Sequence, residues 1–170
     1  MPSHKNLPHP SEDAQQISAR LSKQIRSSLQ RHKSMSFAQF MHKALYTPEL
    51  GYYSNHLPKI GQSGDFITAP EISPIFSRCI ARQASQVLAQ LEDPNMIEFG
   101  AGRGVMAGDI LLELERNQQA LTRYYIVEVS ADLKQRQKEH LEKTLSADWF
   151  DKVVWLEQLP SKPISAVIVA

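Results

Sequence analysis

The sequence holds a single cysteine, Cys79, among its 170 residues. One thiol closes no disulfide framework and builds no cysteine metal cluster, which fits a reducing compartment. The histidines (His4, His9, His32, His42, His56 and His140) show no ligand-type pairing, so no structural metal is expected. Excess charge is missing as well: nineteen basic residues against eighteen acidic leave a net charge of +1. That balance gives no reason to expect nucleic acid or a membrane surface as the main partner. No apolar run approaches the roughly 20 residues that span a bilayer, so no membrane insertion is expected. Glycine is sparse, with seven in all, yet three of them crowd together at Gly100, Gly102 and Gly104.

A hydrophobic fraction of 42% over this length suffices for one globular domain with a real core. Residues 1–13, with Pro2, Pro8 and Pro10, read as a disordered lead. A helix is predicted next, because Ile17, Leu21, Ile25 and Leu29 recur every four residues while Arg20, Lys23, Arg26, Arg31 and Lys33 cover the other faces. Such a basic amphipathic segment reads either as a mitochondrial targeting peptide or as a docking helix with a solvated basic face. The preceding Glu12 and Asp13 favour the second. Ser36 and Gln39 have capping-box spacing and announce a second helix, closed by Pro48 and Gly51. The stretch from Gly51 to Pro70 lacks periodicity but carries Tyr52, Tyr53 and Phe66, too aromatic for a linker and long enough to suggest a functional loop. Ser73 then caps a helix with Pro74 at its first position.

From Asp93 the pattern alternates. Met96 to Phe99 reads as a strand, Val105 to Asn117 as a helix with Ile110, Leu111 and Leu114 facing a sheet, and Tyr124 to Val129 as a second strand. Ser130 caps a helix carrying Leu133, Gln137 and Leu141, and two short apolar runs follow at 152–156 and 164–169. This alternation predicts an α/β fold with a parallel sheet and right-handed crossovers, whose ligands sit at the carboxyl ends of the strands.

The glycine cluster stands at such an end, in the run N-M-I-E-F-G-A-G-R-G from Asn95 to Gly104. Glycine fixed in place loses more conformational freedom than any other residue, so three together point to positive φ or to close approach of a ligand. A helix starting just beyond aims its free N–H groups at that ligand. Two cofactor classes fit. Gly102, Gly104 and Ala107 satisfy a G-x-G-x-x-A dinucleotide pattern, with Glu128 at a distance compatible with a ribose-binding acid. The register acid-x-G-x-G-x-G from Glu98 to Gly104 is instead that of S-adenosylmethionine (SAM) methyltransferases. It gives Glu98 a role, holding an amino group, and lets Glu128 accept both ribose hydroxyls.

The segments L-Y-T-P-E-L-G-Y-Y (Leu45 to Tyr53), G-Q-S-G-D-F-I-T-A-P-E-I-S (Gly61 to Ser73), E-F-G-A-G-R-G and Y-I-V-E-V-S together resemble the MidA family of SAM-dependent methyltransferases, which includes an assembly factor of mitochondrial respiratory complex I. The resemblance runs from about Ile17 to the end. It implies a partial seven-stranded Rossmann-like sheet, about its first four strands, behind an N-terminal helical extension. In those terms residues 14–92 are the extension with a cofactor-covering loop, and 93–170 the first half of the SAM-binding domain. Carried over by position, Glu98, Gly100, Gly102, Gly104 and Glu128 match the cofactor turn and ribose acid, and Gly64, Asp65, Phe66, Thr68, Pro70 and Glu71 match the upstream block. Gly64 and Thr68 are therefore expected beside the cofactor.

Methyl transfer requires nucleophile, methyl and sulfur in line, so positioning and a dry pocket carry most of the rate. The implied substrate is a protein arginine, in a complex I subunit. An arginine is charged in water, so carboxylates must orient it and take its proton; Asp65 and Glu71 are the candidates. Asp65, Tyr52, Tyr53 and Phe66 are candidates for the sulfonium pocket, against core packing for the aromatics. The resemblance further implies a bacterial cytoplasmic protein, or a mitochondrial matrix one if the source is eukaryotic. Members of the family continue beyond the fourth strand, so the expectation is a chain with part of a SAM site, little activity alone, and a fourth-strand edge that pairs with a second copy. A catalytically inactive assembly module is the alternative from another class.

Overall fold

The computed structural model describes residues 9–59 and 64–170. Most of the expected lead, and Gly61, Gln62 and Ser63 of the upstream block, lie outside the described residues. The chain divides into two compact units, residues 1–57 and 58–170.

In the first unit, α1 (Glu12–His32) opens on Ser11, whose side chain accepts from the Ala14 N–H. Glu12 and Asp13 in its first turn and Arg31 and His32 in its last complement the helix dipole, and Lys33 closes it in the left-handed region at φ 61°. α2 (Phe37–Tyr46) carries the predicted capping box, with Ser36 and Gln39 each serving the other's backbone N–H. The chain then folds back on the end of α2. The Tyr52 and Tyr53 N–H groups donate to the Ala44 and Leu45 carbonyls at 2.9 Å, and Gly51 lies so close that a Cβ would sit 2.6 Å from the Leu45 carbonyl. Tyr53 stacks on Tyr46 and meets Tyr52 edge-on, with centroids 5.9 and 4.9 Å apart.

The second unit begins with two helices that fall inside the 14–92 extension implied by the resemblance: the short α3 (Ala69–Ile72) and α4 (Pro74–Leu88). They lie in the same unit as the sheet because α4 buries Ser77, Ala81, Ala84 and Leu88 and packs along α5. β1 (Asn95–Phe99), α5 (Val105–Arg116), β2 (Arg123–Val127), α6 (Ala131–Thr144), the short α7 (Ala147–Phe150), β3 (Val153–Leu156) and β4 (Ala166–Val169) follow. The four strands form a parallel sheet in the order β3-β2-β1-β4. The chain thus steps outward from β1 through β2 to β3 and returns to the far side of β1, which puts the topological switch between β1 and β4.

Register explains the core. Met96 stands opposite Tyr124 and Glu98 opposite Ile126, so one sheet face carries these four, all nearly inaccessible. Ile110, Leu111 and Leu114 of α5, Leu88 of α4 and Leu141 of α6 cover that face. Both short helices escaped the periodicity because four residues make one turn and show no repeat. No described helix is long and apolar enough to cross a membrane.

Leu111 is wholly enclosed in this cluster, so Leu111→Ala is expected to lower stability by about 2–5 kcal/mol in urea unfolding, and a loss under about 1 kcal/mol would contradict the packing described.

Candidate functional site at the carboxyl edge of the sheet

Beyond β1 the backbone enters the left-handed region at each glycine, with φ 66° at Gly100, 56° at Gly102 and 85° at Gly104. A side chain at any of the three would be strained. Around Gly100 a Cβ would meet nothing within 4 Å, so the turn faces open space there. At Gly104 it would lie 3.4 Å from the Gln137 backbone, so α6 rests against the turn. Gly104 is also the N-cap of α5 and offers no capping side chain, leaving the amino end of the helix to other acceptors.

The open space is a cavity of about 310 Å³, lined among others by Thr68, Glu71, Phe76, Glu98, Gly100 and Gly102. Its size is at the lower end of the range usual for small-molecule sites. Glu98 is the unusual member of this lining, a carboxylate only 1% exposed. Burial pushes its carboxyl up to about 7, and the Tyr124 hydroxyl, donating to Oε2 at 2.7 Å, offsets part of the rise. Tyr124 is fully buried on β2 and spends its polar atom on this one bond.

Glu128 follows β2 and opens on a neighbouring cleft of about 290 Å³ with Val129, Lys134 and Glu157, not on the Glu98 cavity. Burial raises its carboxyl, and the Ser130 N–H, the Gln137 amide and the Val129 N–H offset part of the rise. Ser130 N–H donates to Oε1 at 2.8 Å and Gln137 Nε2 to Oε2 at 3.1 Å. Gln137 Nε2 also donates to the Gly102 carbonyl at 3.0 Å, which links the cleft to the glycine turn, and its Oε1 accepts from Trp155 Nε1 at 3.0 Å.

The upstream block divides. Thr68 and Glu71 line the cavity, whereas Gly64 and Asp65 are not among its lining residues. Asp65 is exposed and lies near the Lys59 ammonium, whose pKa it helps to raise against burial. Phe66 is exposed and also outside the lining; the cavity aromatic is Phe76. Tyr52 and Tyr53 belong to the first unit, where their rings pack together. The Glu71 side chain is only 7% exposed and holds Arg103 of the glycine turn in a two-point contact, Arg103 Nε donating at 3.1 Å and Nη2 closing the fork. Among the described residues no group of three or more His, Cys, Asp or Glu side chains is arranged to hold a metal.

Arg103, Tyr124 and Gln137 went unassigned in the sequence. Arg103 sat inside the glycine motif as one of its variable positions, and Tyr124 resembled any strand aromatic. Gln137 lay at helical spacing between Leu133 and Leu141, a polar residue within an apolar stripe, and that was the one available signal.

Glu98 carries a pH signature. Its carboxyl titrates near 4.5 when unfolded and near 7 when folded, so between those values the unfolded chain binds fewer protons and stability falls as pH rises. Glu98→Gln should remove that decline, flattening the urea-measured stability between pH 4.5 and 7 and gaining on the order of 3 kcal/mol above it. An unchanged slope in the variant would show that Glu98 is ionised throughout.

A family profile described as "Putative S-adenosyl-L-methionine-dependent methyltransferase" matches residues 79–170. Over 139 residues the chain is 33% identical to a mitochondrial protein arginine methyltransferase NDUFAF7 homologue of Drosophila melanogaster, a match covering 79% of this chain and 32% of that one. Over 117 residues it is 38% identical to the mitochondrial protein arginine methyltransferase NDUFAF7 of Danio rerio, covering 63% and 27% respectively. The chain thus spans about a third or less of these curated relatives. Among solved structures, a Burkholderia thailandensis protein bound to S-adenosyl-homocysteine superposes with a TM-score of 0.82 at 34% identity, covering 96% of this chain and 43% of that one. A native crystal structure from the same organism gives 0.76 at 34% identity, covering 96% and 41%. With the sheet order, the glycine turn and the sequence match in agreement, the chain belongs to the S-adenosyl-L-methionine-dependent methyltransferase family.

Proposed function

We propose that this chain binds SAM along the carboxyl edge of its sheet, with Glu98 holding the amino group, the turn from Gly100 to Gly104 admitting the methionine end, and Glu128 accepting the ribose hydroxyls. The observation that carries the reading is Glu98, a buried carboxylate in the wall of a cavity whose neighbouring Gly100 leaves open space. A dinucleotide would bring a pyrophosphate to this turn, which gains nothing from Glu98 and opposes its ionisation. A cationic amino group satisfies the same carboxylate. The residues present therefore fit SAM better than NAD.

Bound SAM supplies a methyl group on a sulfonium, and the chain supplies the setting. We extend the proposal to transfer onto a protein arginine, supported by the names of the curated relatives and, through the family resemblance, to a complex I subunit as acceptor. Placement in a mitochondrial matrix or a bacterial cytoplasm follows with the source. A guanidinium acceptor needs carboxylates to orient it and to receive its proton. Glu71 is supported by its place in the cavity wall, where it already grips the guanidinium of Arg103. Asp65, exposed and next to the block's backbone pairing of Phe66 with Lys59 at 2.9 Å, is the second carboxylate proposed for that task. Gly64 is proposed to let that segment bend toward the cofactor, and Thr68 to contact it.

Calorimetric titration with S-adenosylhomocysteine checks the reading. Saturable binding is expected, weakened about tenfold or more by Glu128→Ala, a loss of at least ~1.4 kcal/mol, and abolished by Gly102→Val, which puts a branched side chain at φ 56°. Binding of NAD without S-adenosylhomocysteine would overturn it.

A further inference from the structure

We propose that Gln137 is a positioning residue for ribose recognition: its buried amide locks the Glu128 carboxylate to the glycine turn and thereby sets how strongly the site prefers a ribose diol. This rests on the reading that Glu128 meets the ligand's ribose.

Gln137 is 0% exposed on α6, where an apolar side chain would fill the stripe between Leu133 and Leu141 without an amide to satisfy. Instead the whole amide is used. Its two N–H groups go to the Gly102 carbonyl at 3.0 Å and to Glu128 Oε2 at 3.1 Å, and its oxygen takes the Trp155 indole N–H at 3.0 Å. The orientation follows from the partners. A flipped amide would set its oxygen against two acceptors and its N–H groups against a donor. One side chain therefore ties the turn after β1, the end of β2 and strand β3 to a single helix.

The consequence falls on Glu128. Ser130 N–H fixes Oε1 at 2.8 Å, and Gln137 fixes Oε2. Each carboxylate oxygen accepts more than one hydrogen bond, so both keep capacity toward the cleft while the plane of the group is held. Two neighbouring hydroxyls can then be met by two oriented oxygens. Without Gln137 the backbone N–H groups of Ser130 and Val129 remain as partners, and the hold on Oε2 from α6 is lost. Partners one layer behind a ligating group change affinity by about 10–100-fold when removed, and that scale is expected here. A residue that merely supported the fold would weaken every ligand alike.

The test is calorimetry with two probes, S-adenosylhomocysteine and its 2′-deoxyadenosyl counterpart, on the wild-type chain, Gln137→Met and Trp155→Phe, with circular dichroism to confirm folding. The wild type is expected to prefer the ribose form. Gln137→Met should weaken S-adenosylhomocysteine about 10–100-fold and the deoxy form far less, so that the preference collapses. Trp155→Phe, which takes the indole N–H from the amide oxygen and trims the ring that meets Phe150 and Lys138, should weaken it several-fold with the same bias. If Gln137→Met does not fold, Trp155→Phe decides by the same ratio. Folded variants that keep the wild-type preference overturn the proposal and leave the SAM reading standing. A wild type that binds S-adenosylhomocysteine without any ribose preference overturns the role given to Glu128 and this proposal with it. Failure of the wild type to bind either probe overturns the SAM reading as well.

Discussion

Two carboxylates withdrawn from water at the carboxyl ends of neighbouring strands set the terms for everything around the glycine turn. Glu98 and Glu128 are 1% and 7% exposed, and an ionised carboxylate in such surroundings is expensive unless it is paired or hydrogen-bonded. The fold treats them differently. Glu98 has the single Tyr124 hydroxyl and is pushed up to about 7. Glu128 has the backbone N–H groups of Ser130 and Val129 and the Gln137 amide, which offset part of the rise that burial causes. Two neighbouring strand ends thus hold two carboxyls that burial raises and that different numbers of hydrogen bonds pull back. The groups that manage this, Tyr124 and Gln137, are both fully buried and anchor the packing of β2 and α6.

The turn serves the same arrangement. Gly104 lets α6 approach closely enough for Gln137 to reach the Gly102 carbonyl, while Gly100 keeps the opposite side open beside Glu98. Sheet order supplies the remaining wall. Because β4 returns to the far side of β1, the cavity forms at the switch point, and Glu71 of α3 closes over it through Arg103.

Much of this was legible in the sequence because local rules dominate there. The capping box at Ser36, the Ser73 and Pro74 start of α4, the α5 stripe and the alternation of strands and helices each follow from spacing within a few residues. The positive-φ turn of the three glycines, with Glu98 before it and Glu128 after β2, was legible as a pattern because these residue types stand at fixed offsets. The end of β2 was not: the strand stops at Val127, two residues early, and just beyond it the Glu128 side chain accepts the Ser130 N–H. Contacts between distant residues were hidden altogether. Arg103 meets Glu71 across 32 positions and Gln137 meets Gly102 across 35, and no periodicity reports such pairs.

The account turns on Glu98 being a largely protonated acid that a cationic ligand draws into its charged form. Calorimetric titration of the chain with S-adenosylhomocysteine at pH 6.5, in two buffers of different ionisation enthalpy, measures the protons exchanged on binding. A release approaching one proton that disappears in Glu98→Gln is the predicted result, and equal heats in both buffers for the wild type would contradict it.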